Sequence, residues 1–316
     1  MVVLLAAGRL SADAGADVST AHDRMTAVAN LHVPRHLAAA VKEDGRDAWL
    51  ETLPSLIEEL AAGWSLTLSE PFEPGGQTAW VAPATSAAHG DVVLKVAWRH
   101  MESESEADGL REWDGDGAVR LLDHETRPET SALLLERCAP GTLLAARPEQ
   151  EQDVVISGLL GRLWRVPAHP DRFRPLQEMC DFWADSFERR IALLPAGMDA
   201  AWMREGASWF RSLPASAPAV TLLCTDLHAE NVLSAEREPW LVIDPKPFVG
   251  DPTYDALQHM LNCEARLRAD PRGLSRRMAR LLGLDPERLE MWLYARCVVE
   301  SLGAPWLLDV AREIRS

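Results

Sequence analysis

Lysine is nearly missing from this chain: Lys42, Lys95 and Lys246 are the only three, against 29 arginines. A sequence that uses arginine for almost every positive charge keeps lysine where a compact, single-point ammonium matters. Basic charge is also short overall, with a formal net charge of -16. That deficit argues against a nucleic-acid partner, whose phosphates draw affinity from basic surface. It favours an approaching cation wherever acids line a cleft, although most of the 48 acidic residues serve solubility. Cysteine is sparse and odd in number: Cys138, Cys180, Cys224, Cys263 and Cys297 are scattered, with no C-x-x-C pair. Neither a disulfide framework nor a zinc ribbon is indicated, and a reduced cytoplasm is expected. No apolar run approaches the roughly 18 residues that a membrane span needs, and the opening MVVLLAAG is too short for a signal-peptide core. No lysine sits in G-x-x-x-x-G-K and no complete G-x-G-x-x-G follows a strand, so a P-loop enzyme is excluded.

What is present is 316 residues with 47% hydrophobic content, enough to bury a core in one large domain or two lobes. Residues 1–24 are rich in Ala, Asp, Gly and Ser without periodicity and read as a flexible N-terminal tail, with Met25 an alternative start. Helical spacing covers 33–41 and 49–62, the second with Leu53, Leu56, Ile57 and Leu60 on one face. The period then changes. Trp64, Leu66 and Leu68 alternate with polar residues, 71–78 supplies turn chemistry, and 79–82 and 92–96 are extended. Further strands fall at 121–122 and 133–135, after one acidic helical stretch at 102–113. Beyond Pro140 long helical patterns dominate, broken by a central hairpin whose strands are expected at 221–224 and 240–243. This order predicts an α+β, two-lobed, protein-kinase-like fold. A nucleotide-binding lobe at 25–135, a small antiparallel sheet with one helix, would precede a larger, mainly helical catalytic and substrate-binding lobe at 136–316.

The candidate chemical groups follow that order. Gly75 and Gly76, with Gln77 and Thr78, lie between two strands, where glycines let backbone N–H groups approach a phosphate; an ordinary hairpin loop has the same composition. Lys95 lies inside an apolar strand and needs anionic partners, which a nucleotide's phosphates and a helix carboxylate would supply. The alternative is an edge-strand lysine facing water. Glu102, Glu104 and Glu106 all fit the helix partner by distance, with Glu106 favoured because Ala107, Leu110 and Trp113 set an apolar face beside it, and Glu136 to Cys138 would read an adenine edge. Asp226-Leu227-His228-Ala229-Glu230-Asn231 fits the D-L-x-x-x-N catalytic-loop pattern, and Asp244 follows at a strand end. Asp226 would take the proton of an attacking hydroxyl, and Asn231 and Asp244 would hold magnesium, a cation that prefers oxygen ligands. Asp and Asn also form turns and caps, which is the competing reading. Lys246 would touch a phosphate or the Asp226 region, or serve only the turn. Asp251-Pro252 reads as a helix N-cap followed by Pro. Cys224, at an apolar strand end, has nothing to lower its pKa and is not expected to be a nucleophile.

The segments LLCTDLHAENVL and PWLVIDPKPFVGDPTYD, with EADGLREWDGDGAVRLL upstream, resemble the aminoglycoside phosphotransferase branch of the kinase-like superfamily. Within that branch they are similar to the streptomycin 6-kinase and hydroxyurea phosphotransferase group, over roughly 30–300. Asp-Pro-Lys-Pro at 244–247 is the most group-specific part. The resemblance implies ATP- and Mg2+-dependent phosphorylation of a small-molecule hydroxyl: the 6-hydroxyl of streptomycin first, hydroxyurea or another aminoglycoside otherwise. His228, Asp255, Glu264 and Glu300, with Asp181, are the candidates to meet such a cationic substrate, since planar guanidinium groups favour carboxylates. The family commonly has His-Gly where this chain has Cys224-Thr225, and Gly or Asp where Glu230 stands. A protein kinase is disfavoured by the lack of His-Arg-Asp and Ala-Pro-Glu, and a non-catalytic nucleotide-binding module by the retention of Lys95, Asp226, Asn231 and Asp244.

Overall fold

The structure is a computed structural model, and it describes residues 31–193 and 200–315. The tail expected at 1–24, and Met25, lie outside the described residues. The chain divides into two compact units: one holds residues 31–104 with Arg120–Arg137, the other Ser105–Val119 with residues from Cys138 onward.

In the first unit, α1 (Arg35–Glu43) and α2 (Asp47–Gly63) precede β1 (Leu66–Leu68), β2 (Ala79–Ser86) and β3 (Gly90–Trp98). The second unit interposes α3 (Glu106–Trp113) before β4 (Leu121–Thr126) and β5 (Thr130–Glu136) complete the first unit's sheet. The sheet is antiparallel in the order β1-β2-β3-β5-β4. The apolar faces of α1 and α2 cover it: Leu37, Val41, Leu53, Ile57 and Leu60 pack with Trp80, Leu94, Val96 and Trp98. Trp49 meets Trp98 edge to face at 5.3 Å and donates its indole N–H to Thr130 Oγ1 at 2.9 Å.

The second unit is mainly helical. Besides α3 it contains β6 (Pro140–Leu143), α4 (Glu149–Leu163), α5 (Leu176–Ile191), α6 (Ala200–Ser212), β7 (Thr221–Leu223), β8 (Val232–Ala235), β9 (Leu241–Val242) and β10 (Phe248–Gly250). It ends with α7 (Pro252–Asn262), α8 (Glu264–Ala269), α9 (Pro271–Leu282), α10 (Pro286–Glu300) and α11 (Leu307–Arg315). Three of these helices start alike. Asp251, Asp270 and Asp285 each accept a backbone N–H of the first turn and are each followed by Pro, the pairing in which the capping carboxylate satisfies a donor and proline needs none.

The central hairpin is corrected. Strand β7 pairs not with β9 but with β10, and β9 pairs with β8, which in turn pairs with β6. The expected reading missed Val232–Ala235 as a strand. That segment reverses through 236–240 and takes β9 as its partner, leaving the end of β7 to the chain that returns after Asp244.

Helix α3 is held within the second unit by backbone-close packing. A Cβ on Gly109 would lie 2.4 Å from Pro247 Cγ, so glycine is needed for the helix to approach the loop after Asp244. Trp113 is buried and donates its indole N–H to Leu163 O at 3.0 Å.

Candidate active site

The site is built where β7 ends. Cys224 O accepts two backbone N–H groups, from Asp226 at 2.8 Å and from Lys246 at 2.9 Å, so the turn after β7 and the segment after Asp244 are fastened to one carbonyl. Thr225 between them has a φ of 51°, a left-handed conformation unusual for a β-branched residue. Three bonds hold it there: its N–H donates to Asp255 Oδ1 at 2.6 Å, its Oγ1 donates to Lys246 O at 2.6 Å, and the neighbouring Cys224 N–H donates to Asp255 Oδ2 at 2.9 Å. Glycine, common at this place in the resembling family, enters that conformation without strain; here the threonine hydroxyl supplies a compensating bond.

Asp255 is therefore corrected from a substrate contact to a scaffold. It is buried within α7, and Trp164 Nε1 adds a third donor at 3.0 Å. Burial pushes its carboxyl up to about 6, with the Cys224, Trp164 and Thr225 donors pulling the other way. Cys224 is fully buried, and burial foremost drives its thiol up, out of the nucleophilic range.

The loop so held presents Asp226 next to Lys246. The ammonium lies 2.9 Å from Asp244 Oδ2 and 3.5 Å from Asp226 Oδ2, on a side chain only 12% exposed. Burial works against its charge, yet Asp244, Asp226 and Glu106 outweigh burial and keep it well above the usual lysine range. Asp244 itself has a φ of 52°. Asn231 donates its side-chain N–H to Asp226 O at 3.0 Å, which leaves its Oδ1 as the acceptor end of the amide. Its backbone O accepts the N–H of Ile243 at 2.9 Å, tying it to the residue before Asp244. Asn231 Oδ1 and the Asp244 carboxylate are hard oxygen donors of the kind magnesium takes, and a cation, the Lys246 ammonium, already sits against Asp244. The residues present fit the ion.

In the first unit, Lys95 is 7% exposed on β3, the middle strand, paired with Val81 and Leu133 on either side. The edge-strand alternative is thereby removed. Gly75 has another job: its φ is 77° and a Cβ would lie 2.4 Å from Pro34 Cβ, while His36 N–H donates to Pro74 O at 3.1 Å, so this turn docks the start of α1. Gly76 and Gln77 are exposed, and Thr78 O accepts Trp98 N–H at 3.2 Å. Glu136, at the end of β5, accepts Arg120 N–H at 3.0 Å. Cys138 and Glu106 belong to the second unit, Glu106 buried at the start of α3.

The remaining acids expected to meet a cation are engaged by the chain itself. Glu300 is paired with Arg296, whose guanidinium lies 4.4 Å from the Trp183 ring and 5.1 Å from that of Tyr254; it is corrected to a buried structural pair. Glu264 pairs with Arg268 at 3.0 Å and Asp181 with Arg211 at 3.4 Å, both at exposed sites where such pairs are weak. His228 is half-buried beside Asp226, and its Nδ1 has no partner among the described residues. Asp153, His259 and Cys263 also converge, but Arg266 and Arg277 occupy both Asp153 oxygens, making an ion-pair centre rather than a metal site. Sequence reading left the Lys246 role open and missed Asp255 as a scaffold. The scarcity of lysine pointed to the first; no local signal joins residue 255 to a turn thirty positions upstream.

A family model described as aminoglycoside/hydroxyurea antibiotic resistance kinase matches residues 67–310. The chain is 36% identical over 283 residues to a streptomycin 6-kinase of Streptomyces glaucescens, covering 86% of this chain and 90% of that protein. It is 35% identical over 265 residues to a hydroxyurea phosphotransferase of Kitasatospora aureofaciens, covering 82% and 74%. Among solved structures, an aminoglycoside phosphotransferase of Streptomyces rimosus in complex with ADP and streptomycin matches with a TM-score of 0.53 at 18% identity, covering 78% of this chain and 98% of that one. A choline kinase of Streptococcus pneumoniae matches with a TM-score of 0.56 at 14% identity, covering 84% and 92%. Both structures share the fold.

Proposed function

Because this chain belongs to the aminoglycoside/hydroxyurea antibiotic resistance kinase family, we propose that it transfers the γ-phosphoryl group of ATP to the 6-hydroxyl of streptomycin and so inactivates the antibiotic. The observation that carries the reaction class is that Asp226 and Asp244 both face the Lys246 ammonium, with the turn before Asp226 held by Asp255. The choice of streptomycin is supported by the 36% identity to a streptomycin 6-kinase across most of both chains.

Asp226 accepts the proton of the acceptor hydroxyl and orients its oxygen toward the phosphorus, the role of a positioned general base. Asn231 and Asp244 are the residues that hold magnesium, which when bound neutralises charge on the nucleotide's phosphates. Lys95, buried in the middle of its sheet, supplies a point charge to the phosphates, with Gly76, Gln77 and Thr78 as the backbone that approaches them and Glu136 and Cys138 as the adenine-reading positions. His228 stays as an acceptor-side contact, and Glu264 would join it by exchanging its exposed pair with Arg268 for the substrate's cation. The cytoplasm is the proposed location, supported by five cysteines that are all unpaired.

The test is incubation with Mg-ATP and, separately, streptomycin, other aminoglycosides, hydroxyurea and a generic protein, each product read by mass. Streptomycin is expected to gain one phosphoryl group, and Asp226→Ala to lose turnover while still binding ATP. Phosphorylation of hydroxyurea or of another acceptor in preference would overturn the substrate, and an active Asp226→Ala enzyme the mechanism.

A further inference from the structure

Lys246 lies between two carboxylates of the proposed reaction centre, Asp244 and Asp226. Its backbone is pinned on both sides, its N–H to Cys224 O at 2.9 Å and its carbonyl to Thr225 Oγ1 at 2.6 Å. The following Pro247 is buried, close against Gly109 of α3. The side chain thus has little freedom except at its end, where Nζ stands 2.9 Å from Asp244 Oδ2 and 3.5 Å from Asp226 Oδ2.

We propose that Lys246 is a positioning residue for phosphoryl transfer: an internal cation that occupies Asp244 until a divalent ion takes that carboxylate, and then serves Asp226 alone. The inference rests on the kinase reading above. An ammonium at hydrogen-bond distance from Asp244 competes with a metal ion for the same oxygen, and of the two carboxylates it lies closer to Asp244. Closing the longer contact to hydrogen-bond length needs a shift of under about 1 Å, which a flexible lysine end provides and a planar guanidinium does not. Paired with Asp226, the ammonium fixes the orientation of the carboxylate that faces the acceptor. In the transfer, the acceptor oxygen bonds to the γ-phosphorus as the bond to the bridging oxygen breaks. The electron pair leaves with ADP, the hydroxyl proton goes to Asp226, and Lys246 neither gains nor loses one.

The test is an electron-paramagnetic-resonance titration of Mn2+ in the presence of ADP, on wild type, Lys246→Met and Lys246→Arg, with steady-state kinetics alongside. Without the competing ammonium, Lys246→Met should bind Mn2+ about tenfold more tightly. Its kcat should fall about 100-fold with the acceptor KM within about threefold of wild type. Lys246→Arg should return the Mn2+ affinity to within about threefold of wild type. A structural role alone would weaken Mn2+ binding as it lowered kcat, so equal or weaker binding by the Met variant overturns the proposal, as does an undiminished kcat. If Lys246→Met does not fold, Lys246→Gln takes its place with the same expectations. The Mn2+ titration uses no acceptor, so a wild-type protein that phosphorylates no aminoglycoside would overturn the substrate reading and leave this one standing.

Discussion

Asp255 shows how far a residue's role depends on what it touches. From its sequence position it is one more acid in a helical lobe; in the fold it holds two consecutive N–H groups of the turn before Asp226 and the indole of Trp164. Its burial has a pH consequence. The carboxyl is pushed from an ordinary 3.8 up to about 6, so between those values the folded chain keeps a proton that the unfolded chain has released. Stability from this group is fully present below about pH 4 and is lost as pH rises through about 6, by about 3 kcal/mol. Asp255→Asn has nothing to titrate there. Urea unfolding of both proteins at several pH values should show their stability difference shrinking by about that amount from pH ~4 to pH ~7, and a difference that does not change with pH would contradict the burial argument. At this scale the loop that carries Asp226 and Asn231, with Asp244 after it, was legible, because the three residues follow a fixed spacing. Asp255, Glu300 and Gly75 were not: each is claimed by a partner distant in sequence, and composition does not report such partners. Thr225 was legible only as an oddity until its φ and its bond to Lys246 O were known.

Among the elements, α3 has the most to lose from a small change. Its Gly109 faces Pro247 so closely that a methyl group would require the helix or the loop after Asp244 to move. Because Glu106 opens α3 and Lys246 precedes Pro247, the displacement would reach the charges around Asp226. Gly109→Ala, which ordinarily favours a helix, is expected instead to destabilise the protein by about 1–3 kcal/mol through overpacking and to lower kcat. Thermal melting and steady-state kinetics check this; an unchanged or raised Tm with full activity would show that the helix yields without cost. Element existence was largely readable: the apolar spacing of α2, the alternation at β1 and the Asp-Pro start of α7 are local signals. Pairing was not. Strands of two to four residues such as β7, β8 and β9 carry too little pattern to choose partners, and the hairpin expected between 221–224 and 240–243 was resolved by tertiary contacts into two small sheets.

For the whole molecule, the imbalance of basic residues is the most informative quantity. Arginine is the structural cation here: Arg162 and Arg165 hold Asp116, Arg266 and Arg277 hold Asp153, and Arg288 holds the buried Asp251 together with the indole of Trp292. Such planar, forked donors lock carboxylates in place, whereas Lys95 and Lys246, both little exposed, are the point charges that the proposed phosphoryl transfer would use. No described helix is long and apolar enough to cross a membrane. The kinase-like class was legible from element order and motif spacing together. The proposed acceptor was legible only through resemblance: among the described residues, the acids expected to meet a cation pair with the chain's own arginines or backbone. The central claim is therefore tested most directly on the product. After reaction with Mg-ATP and streptomycin, phosphorus–proton correlation NMR should couple a single new phosphate to the ring proton at position 6 of the streptidine ring. A phosphate coupled to any other position, or no phosphorylated streptomycin at all, would contradict it.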